Sequence, residues 1–166
     1  MAPVLFEGHR EYQENQRGVS FDTLLIPYLR GAAQITITDP YIRQFHQARN
    51  LMELVASLAA TKDAADEVDV KLITSEHTDG EDKVRKQLEF LVKVKQAAAL
   101  AGINLDVSFD TAIHDRSIVT DTGWRINLGR GLDIFQYVTG DVFDLATKNQ
   151  EYRQVRAFGV TYIPAD

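Results

Sequence analysis

The sequence predicts a single α/β domain with a mixed sheet flanked by helices, and three observations support this prediction. Short segments of alternating apolar and polar residues at 34–38, 68–74 and 103–109 are typical of strands. The segments between them carry apolar residues three and four positions apart, which is typical of helices. Strands joined through helices pair in parallel, whereas the short strands expected later in the chain favour antiparallel additions.

The length of 166 residues is consistent with one domain. Residues 1–17 are mostly polar and show no clear periodicity, so we expect an irregular lead-in segment there. The folded domain is predicted to span residues 18–166.

The first elements after residue 18 are predicted from capping and periodicity. Ser20 is expected to cap a short helix that bends or breaks at Pro27. The strand at 34–38 stops at the Asp39–Pro40 pair, and a helix is expected over 44–60.

The remaining segments continue as a strand, a long helix and further strands. Acidic residues at the start of the helix over 79–100 suit the helix dipole, and Gly102 is expected to end that helix. The other strands are expected at 68–74, 103–109, 117–120 and 124–128, with a returning segment over 152–163.

The composition excludes several classes of site and partner. With 24 acidic and 18 basic residues the net charge is -6, which disfavours nucleic acid and general attraction to anionic membranes. Any anion site must therefore be local. The chain has no cysteine and only four scattered histidines, so we predict no disulfide, no metal site and no cofactor. No apolar run reaches the ~20 residues of a membrane span, and a cytoplasmic protein, peripherally membrane-associated if it binds lipid, is expected.

The most informative motif is His114-x-Arg116-x4-Asp121, one residue away from the H-x-K-x4-D signature of phospholipase-D-type phosphodiesterases. In such an enzyme the histidine attacks phosphorus and the lysine holds the phosphate. Arginine grips phosphate bidentately but is not a positional equivalent of lysine. His114, Arg116 and Asp121 are therefore the catalytic candidates, and an active site of this type, which combines two motifs, would need a homodimer.

Other polar residues are placed to add to an anion site. Arg43 and His46 follow the first strand, at the carboxyl end where ligands collect in open α/β sheets. Arg130 belongs to a Gly-Arg-Gly turn that could direct backbone N–H groups at an anion. Asp39 and Asp133 are predicted either to orient arginines or to serve as caps. Asn127 precedes the turn and completes the set of ligand-binding candidates.

Three blocks of residues resemble the phospholipase-D-like C-terminal domain of MIT (microtubule-interacting-and-trafficking) proteins. They are Asp39-Pro-Tyr-Ile-Arg43, Ile113-His-Asp-Arg116 and Gly129-Arg-Gly-Leu-Asp133. The resemblance runs from about Gly18 to Asp144. It leaves no room for the three-helix MIT domain itself, so binding to ESCRT tails is not implied.

The resemblance implies a phospholipase-D-like fold, a homodimer and a basic pocket for acidic phospholipid head groups, such as phosphoinositides, without catalysis. The pocket residues that it implies are His114, Arg116, Arg130, Asp39 and Arg43. Two alternatives stay open on the sequence. One is a protein-interaction or targeting module of a larger system, including an ATPase-linked one. The other is a phosphodiesterase or nuclease that uses His114 across a dimer.

Overall fold

A computed structural model describes residues 4–138 and 140–165 and shows one mixed sheet. The seven strands of the described chain lie in the order β1-β7-β6-β5-β2-β3-β4. They are β1 Gly8–Tyr12, β2 Gln34–Thr38, β3 Val68–Thr74, β4 Ile103–Phe109, β5 Ser117–Thr120, β6 Trp124–Leu128 and β7 Phe158–Pro164. The helices are α1 Phe21–Leu24, α2 Ile26–Leu29, α3 Phe45–Thr61 and α4 Glu81–Leu100, and two short 3-10 helices cover Leu145–Thr147 and Gln150–Tyr152.

The parallel half of the sheet confirms the prediction from the alternating strands and helices. β2 pairs in parallel with β3, and β3 with β4, while α3 and α4 form the crossovers. Ser20 accepts a hydrogen bond from the backbone of Thr23 and so caps α1. Gly102 follows α4 with a φ of 74°, a left-handed conformation that glycine adopts at low cost.

The antiparallel half contains one strand that the sequence did not predict. β5, β6 and β7 were expected and pair antiparallel in succession. Residues 8–12 were expected to be irregular, and that prediction is wrong, because they form the edge strand β1 on β7. The polar side chains of β1 hid the strand, since at an edge one face and one side are open to water.

The helices pack on one face of the sheet and leave the other face open. Alternate residues of β2 to β7 point to the helices and form a continuous core, which includes Ile37, Leu72, Ile118 and Val160. Most of the residues between them are exposed or half-buried, as in β3, where Asp69 and Lys71 are exposed. Antiparallel strands commonly have one face open to solvent, whereas parallel strands are usually covered on both faces.

None of the helices in the described ranges is both long enough and apolar enough to cross a membrane.

Candidate functional site

Asp39 connects the carboxyl end of β2 to the loop after β6. Its carboxylate accepts hydrogen bonds from the backbone N–H of Tyr41 at 3.0 Å and of Leu132 at 2.9 Å. The residue is only 1% exposed. Burial raises the pKa of Asp39, although the two backbone donors and the nearby Arg116 act in the opposite direction. Asp39 therefore fixes the loop after β2 and the loop after β6 against each other.

Gly131 is required where this loop passes the carboxylate. Its φ is 62°, and a Cβ built on it would lie 2.2 Å from Oδ2 of Asp39. Because Gly131 has no side chain, the Gly129-Arg130-Gly131 turn can pack directly against the carboxylate of Asp39. The turn places Arg130 at the same end of the sheet as Tyr41.

Two arginines meet at the ring of Tyr41. The guanidinium carbon of Arg116 lies 4.5 Å from the ring centroid, and that of Arg43 lies 5.3 Å from it. Arg116 also donates from Nη1 to the carbonyl of Gly129 at 2.9 Å. The Nε of Arg43 is buried and has no hydrogen-bond partner within the described residues. We call Tyr41, Arg43, Arg116 and Arg130 the basic mouth.

Asp133 and the start of α3 border the basic mouth. Arg130 donates from Nε to the carbonyl of Asp133 at 3.0 Å. The carboxylate of Asp133 accepts from Gln47 at 3.3 Å and lies 3.7 Å from Nε2 of His46. Asp133 was predicted either to orient arginines or to serve as a cap, and only its backbone carbonyl contacts an arginine, Arg130. His46 faces Asp133, so it lies at the edge of the mouth.

His114 and Asn127 lie on the open face of the sheet, in a shallow depression of about 600 Å³ next to the mouth. Arg116 lines the depression as well and contacts Tyr41, so it joins the two features. The depression is lined by polar side chains from four segments: His9, Glu11, His114, Asp115, Arg116, Asn127 and Thr161, with Leu128, Gly129 and Gly159 at its floor.

The structure separates Asp121 from the other two motif residues. His114 and Arg116 precede β5 in an irregular segment, whereas Asp121 follows the last residue of that strand. At that opposite end the carboxylate of Asp121 accepts from the backbone N–H of Ala33 at 3.0 Å. Asp121 thus joins β5 to the start of β2 and is remote from the mouth.

Sequence reasoning missed Tyr41 and the contribution of β1. Tyr41 was part of the Asp-Pro-Tyr-Ile-Arg block, but no sequence pattern shows that its ring receives two arginines from different segments. His9, Arg10 and Glu11 are all polar, so the segment carried no apolar–polar alternation that could have marked it as a strand. Within residues 4–138 and 140–165 no three His, Asp or Glu side chains gather as metal ligands would.

Comparisons with known proteins agree with the motif resemblance. The model of a family described as the phospholipase D-like domain at the C-terminus of MIT matches residues 18–164. The mouse (Mus musculus) protein called MIT domain-containing protein 1 is 34% identical over 129 residues, which is 77% of this chain. The aligned region covers 50% of that relative, so the chain spans about half of its length.

Proposed function

Because the chain belongs to the family of phospholipase-D-like domains found at the C-terminus of MIT proteins, we propose that it is a non-catalytic module that binds phosphate-bearing ligands. Head groups of acidic phospholipids are the ligand class that we favour. The observation that carries the proposal is the pair of guanidiniums at Tyr41, one of which has a buried Nε without a partner in the described chain.

The donors of the basic mouth suit an anion with several oxygen atoms. A guanidinium has five N–H donors, and Arg116 spends one of them on Gly129. Arg130 likewise spends its Nε on a backbone carbonyl, which fixes the side chain and leaves its terminal nitrogens to a ligand. Arginines held in this way bind phosphate at a smaller entropic cost than mobile ones.

The charges explain why binding must be local. The mouth holds three guanidiniums, those of Arg43, Arg116 and Arg130. Burial raises the pKa of the adjoining Asp39, and the positive charge of Arg116 opposes that shift. The chain as a whole carries a net charge of -6. A local basic site on an acidic surface attracts a compact phosphate group without a general affinity for polyanions.

The same geometry supports binding without turnover. Arg116 replaces the lysine of the phospholipase D signature, and it is anchored to both Gly129 and Tyr41. A guanidinium can hold a phosphate, but its planar fork does not place its donors where the compact ammonium of the signature lysine would. Asp121 supports the far end of β5 and would contribute nothing to the reacting atoms.

Isothermal calorimetry with a soluble short-chain phosphoinositide tests this proposal. Wild-type protein should give saturating heats, and the Arg116→Ala/Arg130→Ala variant should bind at least tenfold more weakly, because each charge-assisted hydrogen bond contributes about 1.5–3 kcal/mol. Arg30→Ala is the matched control. It removes an exposed arginine before β2, at the end of that strand opposite to the mouth.

The other outcomes separate the alternative functions. Unchanged affinity in the double variant would refute the basic mouth as the binding site. Heat that continues after each injection would indicate turnover and would favour a phosphodiesterase that uses His114. If neither the phosphoinositide nor a short single-stranded oligonucleotide gives heat, the protein-interaction module becomes the better account.

We also propose that the domain is a homodimer in which a second copy covers part of the open sheet face. Support comes from the three parallel strands β2, β3 and β4, which lack a covering layer among the described residues although parallel strands are usually buried on both faces. Val119 and Ile73 give this face an apolar centre, and both are half-buried.

A further inference from the structure

β1 and β7 bring together a carboxylate, an imidazole and a hydroxyl on the open face of the sheet. Nε2 of His9 lies 2.6 Å from Oε1 of Glu11, and Nδ1 of His9 lies 2.7 Å from Oγ1 of Thr161. His9 is directly opposite Thr161 in the strand register, and Thr161 is opposite Asn127. All four side chains line the depression beside the basic mouth.

The hydrogen-bond roles in this row follow from the chemistry of the groups. An ionised carboxylate can only accept, so Nε2 of His9 carries the proton that it donates to Glu11. Nδ1 of His9 shares a hydrogen bond with Oγ1 of Thr161, and in either direction of that bond the hydroxyl oxygen keeps a lone pair free. Thr161 therefore presents an oxygen lone pair to the depression, and Glu11 has a second oxygen to offer. This end of the depression is a row of acceptors.

Gly159 makes room for the row. A Cβ on this residue would lie 2.8 Å from Cε1 of His9 and 2.9 Å from Oε1 of Glu11. Both side chains therefore lie over the bare backbone of β7, close to the sheet. A larger residue at position 159 would push them outward.

The depression thus has two chemically different ends. Arg116 gives one end positive charge and hydrogen-bond donors. The β1 end offers the acceptors of Glu11 and Thr161, and Asp115 between the ends is paired with Arg125 at 2.9 Å. Inorganic phosphate can accept hydrogen bonds from Arg116 but has little to donate to the β1 end. A phosphate ester whose alcohol carries further hydroxyl groups can bind at both ends, because those hydroxyl groups can donate to Glu11 and Thr161.

We infer that His9, Glu11 and Thr161 form a hydroxyl-recognising subsite, and that the ligand is the phosphate ester of a polyol. The inference rests on the proposed function, because it places the phosphate at Arg116. His9 acts as a positioning residue that holds Glu11 and Thr161 in register. Residues 8–12 lie outside the region 18–164 that the family model matches, so the family match does not assign this subsite.

Glycerol 1-phosphate and propyl phosphate form a matched pair of probes, because they differ only in two hydroxyl groups. Titration of the full chain, followed by heteronuclear NMR, should show that wild-type protein prefers glycerol phosphate by about three- to tenfold, the effect of one or two net hydrogen bonds. Glu11→Gln with Thr161→Val should abolish the preference and leave the affinity for propyl phosphate unchanged. Glu7→Gln, an exposed acid just before β1, is the control.

Gly159→Ala provides a second test, in which His9, Glu11 and Thr161 are not themselves substituted. By displacing His9 and Glu11 it should reduce the preference for glycerol phosphate as well. Equal affinity of wild-type protein for the two probes would overturn the subsite while leaving the phosphate site intact. Absence of binding by both probes, together with no response to the phosphoinositide, would overturn the proposed function and the subsite with it.

Discussion

Asp39 is the residue on which the geometry of the basic mouth most depends. Its buried carboxylate holds the backbone on either side of the mouth, and Gly131 is fitted against it. The cost of this arrangement is the desolvation of a carboxylate, which two backbone donors offset in part. Such a support has a consequence for stability that can be measured.

The stability contributed by Asp39 should fall as the pH rises. Burial raises the pKa of Asp39 above its ordinary value of 3.8. A carboxyl with a raised pKa in the folded state contributes most below its unfolded pKa, and the contribution is lost as the pH passes through the folded pKa. Urea unfolding of wild-type protein and of Asp39→Asn should show that the advantage of wild type shrinks above pH 3.8. An advantage that grows over this range would contradict the assignment.

The strands and helices show how far local pattern predicts this fold. The crossovers β2-α3-β3-α4-β4 follow from periodicity, and capping and turn residues mark their ends. β1 was missed because an edge strand need not bury the side chains of one face. For the candidate site, Arg43, Arg116 and Arg130 stand in recognisable blocks of the sequence. Tyr41 and His9 join them only through tertiary contacts that the sequence does not state, namely the packing of two guanidiniums on the Tyr41 ring and the pairing of β1 with β7.

An ion pair holds the C-terminal segment against α3 and gives a prediction for that element. Arg153 is 4% exposed and donates to both carboxylate oxygens of Glu53, at 2.5 and 2.7 Å. It also donates to the carbonyl of Ala146. Arg153→Met removes the bidentate partner of Glu53, which keeps only Arg49 at 3.7 Å and Gln150 at 3.2 Å, so the free energy of unfolding should fall by about 3 kcal/mol.

A surface ion pair supplies the control for that measurement. Arg85 contacts Asp82 and Glu89 on α4 but is largely exposed, so Arg85→Met should change the free energy of unfolding by at most about 0.5 kcal/mol. The account of the C-terminal segment would fail if both variants lost the same stability in denaturant titrations.

For the whole molecule, the uncovered parallel strands predict a dimer. Sedimentation velocity should give twice the monomer mass, and Val119→Lys should shift the protein to monomer, because it places a charge at the centre of the open face. Val92→Lys makes the same substitution at an exposed residue of α4, in the helix layer on the other face, and should leave the dimer intact. A wild-type monomer at all concentrations would refute the homodimer.

If the arginines of the basic mouth hold a phosphate group, their own side-chain resonances should respond to it. In a titration of ¹⁵N-labelled protein with the soluble phosphoinositide, the Nε–H resonances of Arg43, Arg116 and Arg130 should shift together with one dissociation constant. The resonance of Arg30 should stay in place. Shifts confined to other residues, with these three unchanged at saturation, would contradict the claim.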